Sequence, residues 1–501
     1  MIGTQGSPEE PSIYINSLNP AIIMAGSNID KLFISTDTGR TWLEDTLLSN
    51  SGVWGDPAII DDTAGNFYFL HLANPPSGIG HWIDRIVCQK YITAQNIWTE
   101  DAFMGLDGRI DYAQDKEWIA VDRTNNNLYV TWTQFDKYGV ADTSKKSNIL
   151  FSRSFDSGHS WSTAKRINQT EGDCIDSDNT VEGAVPCVGP NGEIYVSWAG
   201  PDGLVFDRST DSGNTWLNND IFVSNIPGGW DYEIPRISRC NGLPITDCDL
   251  SGGQYHGTIY INWSDQRNGV NNTDIWLVKS TDGGDTWSAP IMVNDDTTQN
   301  HQFFTWMDID QSTGYLYFVF YDRRNYTDEL TDVYLAISKD GGQTFENYQI
   351  SESPFMPTSS VFFGDYNNIS VQNGIVRPIW TRFDVVNHLS IWTAIINTEA
   401  DLSTKPDIAN QNNISANIYP NPGTDIVYFS FKIKTASKVK LEVYDQKGSL
   451  IATIINGKDY RPGKYIQEFN ASEMQLKSGV YQFRFSSDNQ SISKQFILGG
   501  K

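Results

Sequence analysis

The chain has 501 residues, with 61 Asp+Glu against 36 Lys+Arg and a formal net charge of −25. So acidic a surface repels nucleic acid and anionic lipid and excludes both as bulk partners. Apolar residues make up 39% and aromatic residues 13%, with 16 Trp, enough for a large core and too rich for a disordered chain. No run approaches the roughly 18 apolar residues of a transmembrane helix, and Met1–Glu10 lacks the charged and apolar regions of a signal peptide. Any export signal is expected to have been removed or to lie outside this sequence.

In chain order, short β-rich runs recur: PSIYIN (11–16), DPAIID (56–61), EWIAVD (117–122), EGAVPCV (182–188), EIPRIS (233–238), TWMDID (305–310) and GDYNNISV (364–371). Each opens a further set of strand-like runs separated by turn residues, and no long helical period appears. Seven such units are expected. The seventh continues with GIVRPIWTRF and LSIWTAII but lacks a clear fourth strand, which residues before Ser7 could supply.

Between these runs an octapeptide repeats: STDTGRTW (35–42), SFDSGHSW (154–161), STDSGNTW (209–216), STDGGDTW (280–287) and SKDGGQTF (338–345), with a decayed copy, YITAQNIW, at 91–98. Asp37, Asp156, Asp211, Asp282 and Asp340 suit side-chain bonds to turn backbone, glycine supplies positive φ, and Trp42, Trp161, Trp216, Trp287 and Phe345 suit wedging into a core. A structural role is predicted for all of them. The pattern resembles the Asp-box, or BNR, repeat of the sialidase superfamily and related β-propellers. That resemblance implies an all-β propeller over 1–397, seven blades being favoured over the six of true sialidases. It also implies boxes between the third and fourth strands, on the face opposite the usual active site.

Five cysteines occur. Cys174 with Cys187, and Cys240 with Cys248, lie in loop-like stretches whose spacing suits local disulfides in an oxidising compartment, whereas Cys88 reads as a buried free thiol.

Residues 398–416 are polar and patternless, as a linker should be. Residues 417–501 alternate strongly and carry 12 Lys+Arg against 7 Asp+Glu, a charge of +5 that leaves −30 for the remainder. A small β-sandwich is predicted there. The motifs YPNP (Tyr419–Pro422), VYDQKG (Val443–Gly448), SGVYQFRF (Ser478–Phe485) and SKQFIL ahead of Lys501 resemble the type A C-terminal sorting domain of the type IX secretion system. This implies export to the surface of a Bacteroidetes-type Gram-negative bacterium, with the secretion machinery and surface lipopolysaccharide as partners.

In a propeller, strand-one starts and strand-two ends share one face. The starts read Glu10, Asp56, Glu117, Glu182, Glu233, a non-acidic Thr305/Trp306, and Asp365, a ring of carboxylates at one mouth. Aligned on aromatic anchors, strand-two ends read Trp263-Ser-Asp265-Gln-Arg267, Phe320-Tyr-Asp322-Arg-Arg324 and Trp380-Thr-Arg382-Phe-Asp384. Residues two and four past each anchor share a side, so Arg267, Arg324 and Arg382 are candidates for holding an acidic glycan. A calcium ion is the one cofactor left open, without an EF-hand-type loop to hold it.

The sialidase resemblance implies an arginine triad, a Tyr–Glu nucleophile and an Asp acid/base. The family's Arg-Ile-Pro motif is replaced here by Glu10-Pro, Asp56-Pro and Glu233-Ile-Pro-Arg236. Asp56, Glu233, Tyr321 and Asp365 are then the catalytic candidates, with Tyr366 as an alternative hydroxyl. His71 or His301 would serve a polysaccharide lyase as base. No phosphate loop, G-x-S-x-G elbow or H-E-x-x-H motif occurs. The leading expectation is a surface-anchored, sialidase-like propeller that binds or degrades extracellular glycans or glycoproteins. The alternative is a non-catalytic adhesin or a scaffold whose acid–Arg pairs stitch blades together.

Overall fold

The computed structural model describes all residues except 78–79, 386–387, 398–413, 422, 424, 434, 446–448, 475, 488–489 and 500–501. Pro422, the last three residues of the VYDQKG motif and Lys501 therefore lie outside the described residues, as does the predicted 398–416 linker up to residue 413, while its residues 414–416 begin a strand. The chain divides into a unit of Met1–Ile350 with Phe355–Thr398 and a C-terminal unit. The described residues contain strands and no helix.

The first unit is a seven-bladed propeller. Its inner strands are Ser12–Ile15, Gly55–Asp61, Ala113–Asp122, Glu182–Val188, Ile245–Cys248, Gln302–Asp310 and Asn368–Gln372. Each packs on the next, and the seventh returns to the first. At that seam the Ile15 amide donates to Ser370 Oγ at 3.0 Å. Blades 1 to 6 run antiparallel from the inner strand outward. Blade 7 has Ile375–Val385 and His388–Thr393 as its second and third strands, and its outer edge is completed from the chain start. There Ile2 N donates to Ile391 O at 2.8 Å, and Ile391 N to Gly3 O at 2.9 Å. The N-terminal closure expected from the sequence is thus present.

One inner strand differs from expectation. EIPRIS is not strand: Glu233 is exposed, and only the preceding Asp231–Tyr232 pairs, with Cys240–Asn241. The fifth inner strand is the four-residue ITDC, anchored on blade 4 by a 2.6 Å contact between Thr246 Oγ1 and Ser197 Oγ. Too short to show a period by itself, it is fixed by its neighbours.

The octapeptides occupy the turns between third and fourth strands. In the first, Thr41 N and Thr41 Oγ1 donate to the Asp37 carboxylate at 2.8 and 2.7 Å, and Gly39 N donates to Ser35 Oγ at 2.8 Å. Asp156, Asp211, Asp282 and Asp340 repeat the arrangement. The box glycine is required twice over. Gly213 has φ +84, and a Cβ there would stand 2.2 Å from Phe151 of the preceding blade. Gly284 meets Phe206 in the same way. Trp216 and Trp287 pack edge-on against those same rings, at 5.0 and 5.1 Å between centroids. Each box therefore rivets its blade to the one before it.

The predicted disulfides are absent, and all five cysteines are free and buried. Cys174 pairs its backbone with Val140, while Cys187 lies on the fourth inner strand in a different core cluster, beside Cys248. Cys240 packs by Tyr232. Proximity in sequence gave way to placement in different walls of the core.

The C-terminal unit forms two sheets. Ile414–Tyr419, Ile426–Ile433 and Gly463–Asn470 make one, and Ser437–Asp445, Leu450–Tyr460, Gly479–Ser487 and Gln490–Leu498 make the other. Alternate residues Val427, Phe429, Phe431 and Ile433 face Val439, Leu441, Val443, Phe483 and Phe485 across an apolar core.

Candidate functional site

The inner strands begin with a repeated irregularity. Register shifts fall between Gly55 and Ala58, Asp115 and Trp118, Glu182 and Val185, and Phe303 and Trp306. Within each bulge one residue is left-handed: Asp56 (φ 52), Lys116 (φ 53), Gly183 (φ 76) or Phe304 (φ 48). Glu10 (φ 53) and Gly364 (φ 91) adopt the same conformation before the first and seventh inner strands. Such a conformation costs about 1–3 kcal/mol at a non-glycine residue and persists where surrounding structure holds it. The bulge re-aims side chains at the strand mouth. It also staggers the carboxylates that the sequence seemed to align, because Glu182, Asp56 and Glu117 take the first, second and third places of their bulges.

At the centre stands Lys116. Its ammonium lies 2.9 Å from Asp365, 3.3 Å from Asp56, 3.7 Å from Glu10 and 3.8 Å from Asp115, and the residue is 7% exposed. One cation thus ties four separate chain segments. Arg239 adds a second tie: Nε donates to Asp365 Oδ1 at 2.8 Å, Nη2 to the other oxygen, and Nη1 to Asp176 at 2.9 Å. Tyr138 OH donates to Asp176 at 2.6 Å. Asn28 accepts from the Asp56 amide at 2.6 Å and donates to Glu10, which also accepts from the Asp365 amide at 3.0 Å.

The charges are unequal in number, and protonation reflects it. Burial would raise Asp56 and Asp365, but Lys116 and the surrounding hydrogen bonds outweigh it and hold both below the usual carboxylate range, Arg239 contributing at Asp365. Burial raises Asp115 to about 7, with Lys116 offsetting and Asp56 and Asp176 adding repulsion. Burial likewise raises Glu9 to about 8. Glu10, Glu117 and Glu182 are all raised by burial first and by neighbouring carboxylates next. Glu117 is 1% exposed, and neither carboxyl oxygen has a hydrogen-bond partner.

Above this floor opens a pocket of about 130 Å³, lined by Glu10, Asp56, Asp115, Lys116 and Arg239 below and by Trp54, Trp82, Tyr138 and Phe362. Trp54, Trp82 and Phe362 are 39%, 40% and 39% exposed. Trp82 sits edge-on to Trp54 at 5.8 Å and to Tyr138 at 5.7 Å. Trp118, Trp306 and Tyr366 make a central aromatic group, with Trp118 4.3 Å from Trp306 and 5.1 Å from Tyr366. Trp118 and Trp306 also border a channel of about 410 Å³ lined by all seven inner strands.

Among the sequence-selected residues, Glu10, Asp56 and Asp365 converge on Lys116, and Glu117 and Glu182 are buried close by. Glu233 does not join them. Tyr321 is 1% exposed, donates to Thr381 O at 2.8 Å and stacks on Phe303, so it is held as core. His71 and His301 are buried and lowered to about 4 by burial, hence neutral.

Each of the three arginines lies by a carboxylate two residues away, and two also reach the preceding blade's end: Arg267 Nη2 donates to Asn225 O at 3.3 Å and Arg324 pairs with Asp295. Arg267 meets Asp265 at 2.5 Å, Arg324 meets Asp322 at 2.7 Å, and Arg382 lies 3.6 Å from Asp384. Their guanidinium carbons stand over Trp276, Tyr334 and Trp392 at 4.5, 4.3 and 4.7 Å, rings that belong to the cross-strand partners of the three anchors. The alternation that put +2 and +4 on one side made them partners of each other.

Lys116 and Arg239 were missed. Lys116 adjoins Glu117, but only the bulge reveals that it, not Glu117, occupies the place of Asp56. Among the described residues no group of three or more His, Cys, Asp or Glu is arranged to hold a metal ion.

Residues 417–499 match the secretion system C-terminal sorting domain. No curated protein matches the chain. A Hadza microbial sialidase is similar at 12% identity over 76% of this chain and 74% of its own, with a TM-score of 0.43. An ulvan lyase is similar at 12% over 80% and 99%, TM-score 0.47, and Trypanosoma rangeli sialidase at 12% over 92% and 87%, TM-score 0.42. The seven-bladed assignment rests on this chain's own strand pairing. The chain is an all-β protein, a seven-bladed propeller followed by a secretion system C-terminal sorting domain that directs it to the cell surface or outside.

Proposed function

We propose that the propeller mouth recognises an extracellular glycan while the sorting domain delivers the protein to the cell surface. The observation that carries this reading is the pairing of exposed Trp54, Trp82 and Phe362 with the polar floor of Glu10, Asp56, Asp115 and Lys116 in one open pocket. A sugar presents a C–H face that stacks on an aromatic ring and hydroxyls that donate to carboxylates, so it matches both surfaces at once. By volume the pocket takes about ten waters, the scale of one sugar ring.

The test is calorimetric titration of the full chain with a panel of neutral, acidic and amino-sugar oligosaccharides. Trp82→Ala should weaken binding about tenfold or more, since a central aromatic anchor contributes ~2 kcal/mol or above, without changing the melting temperature. Silence of the whole panel, or a Trp82→Ala protein that binds as well as the parent, overturns the reading.

A hydrolytic version draws on Asp56 and Asp115. Lys116 outweighs burial to hold Asp56 low, and burial raises Asp115 to about 7, the division by which paired carboxyls separate acid and base roles. It requires turnover of a bound oligosaccharide that Asp56→Asn abolishes while leaving binding in place. A bound panel member that stays intact on prolonged incubation leaves recognition alone.

A further inference from the structure

We infer that Arg323, with Arg236 as its cationic neighbour, binds an oxyanion, a carboxylate or a sulfate. The inference stands on these two residues and does not depend on the glycan reading.

Arg323 directly follows the second strand of blade 6, Tyr315–Asp322, and is 2% exposed. Its backbone is fixed: the amide donates to His301 O at 3.1 Å, and the carbonyl accepts from Tyr326 N at 3.0 Å. The side chain is not satisfied to match. Nε donates to Thr331 Oγ1 at 3.0 Å and the guanidinium carbon stands 5.2 Å from the centre of the Phe303 ring, but the buried Nη2 has no hydrogen-bond partner. Among the described residues Arg323 forms no ion pair with a carboxylate.

Two other buried arginines show how this chain satisfies a guanidinium for structure alone. Arg377, 0% exposed, donates from Nε and Nη2 to Thr38 O at 2.9 and 2.7 Å and from Nη1 to Val376 O and Ile396 O, both at 2.8 Å. Arg85, 6% exposed, is held by both oxygens of Asp84. Buried charges are paired because desolvating a lone ion is costly. Arg323 has neither the carbonyls of Arg377 nor the carboxylate of Arg85, so its free end is a vacant donor.

Electrostatics agrees with the geometry. Burial pulls the Arg323 guanidinium down to about 10; Cys240, Glu329 and Asp328 offset this in part, and Arg236 adds repulsion. Arg85, Arg123, Arg239 and Arg324, each beside a carboxylate, are raised instead. Arg236 is exposed, left-handed (φ 65), and donates from Nε to Pro357 O at 2.8 Å. Guanidinium forks match planar or tetrahedral oxyanions through paired N–H donors, which a point charge does not. Cys240 follows Arg239 of the mouth floor, and Pro357 leads to Phe362 of its wall, so the oxyanion comes either from solution or from a ligand seated in the mouth.

The experiment is equilibrium dialysis of the full chain against labelled sulfate near neutral pH, at constant ionic strength. One sulfate per chain should bind saturably and be displaced by sodium acetate. Arg236→Gln should weaken it about tenfold, the value of one charge-assisted hydrogen bond, and Arg323→Met should abolish it. Because Arg236 is exposed, its variant carries the test even where Arg323→Met does not fold. Displacement of the sulfate by a galacturonic acid tetramer assigns the oxyanion to a ligand of the mouth; a tetramer that leaves it in place assigns it to a free ion. Absence of saturable binding, or sulfate bound by both variants as tightly as by the parent, overturns the inference and leaves the glycan reading untouched.

Discussion

Replacing Lys116 with Met tests the tie at the mouth. The substitution keeps the length of the side chain and removes the charge, leaving Asp56, Asp115, Asp365 and Glu10 facing one another in a buried floor. At the 3.3 Å separation from Asp56, one unit pair in an effective dielectric of 20 is worth about 5 kcal/mol before desolvation. Desolvation of the ammonium offsets much of this, and removing one partner of a buried ion pair costs ~3–5 kcal/mol net. Arg239 still holds Asp365, which places the expected loss toward the lower end, about 3 kcal/mol.

The sign with pH follows from linkage. Without Lys116 the remaining carboxyls titrate higher in the folded state than in the unfolded chain, so protonation relieves the repulsion at low pH and the penalty grows as pH rises. Urea unfolding of the propeller, followed by tryptophan fluorescence at pH 5.5 and pH 8, measures both effects. A loss below ~1 kcal/mol at pH 8, or an equal loss at the two pH values, refutes the reasoning.

For the parent protein, stability should peak on the mildly acidic side of neutrality. Asp115 at about 7 and Glu9 at about 8 lie above their unfolded values, so their contribution is present at low pH and is lost as pH rises through 7 to 8. Asp115 faces Lys116, Asp56 and Asp176, and Glu9 faces Asn28, Asp56 and Asp365. Asp156, Asp282 and Asp340 are held at about 2 by turn hydrogen bonds, so their contribution is lost as pH falls from about 4 toward 2. Melting temperature between pH 3 and 9 checks this, and a steady rise to pH 9 contradicts it. Gly213→Ala should destabilise by more than about 2 kcal/mol, combining a left-handed backbone with a Cβ driven into Phe151. Gly252→Ala, with nothing within 4 Å, should change stability by less than about 0.5 kcal/mol; equal effects in denaturation would refute the rivet. All five cysteines should react with a thiol reagent after denaturation without reductant. Protection of any pair would restore a disulfide.

The sequence by itself determined the repeating unit, the tail and the closure. Five octapeptides identify the turns because Asp, Gly and Trp there answer to local needs: backbone amides to satisfy, a positive φ to adopt, a ring of the preceding blade to cover. Val427, Phe429, Phe431 and Ile433 likewise announce a sandwich by alternation alone. The missing fourth strand of blade 7 pointed to the chain start, where Gly3 meets Ile391. Tertiary structure decided the mouth. A bulge inserts one residue and turns the side chains that follow, so Glu117 and Lys116 exchange the places that simple alignment assigns them. The fifth inner strand is four residues long and takes its identity from Ser197 and Thr246 across the blade boundary. Arg267, Arg324 and Arg382 were placed correctly along their strands, yet their partners were the acids two residues away and the rings opposite. Periodicity states which residues share a side; only the packed structure states which of them are already satisfied by one another, and which remain to meet a ligand.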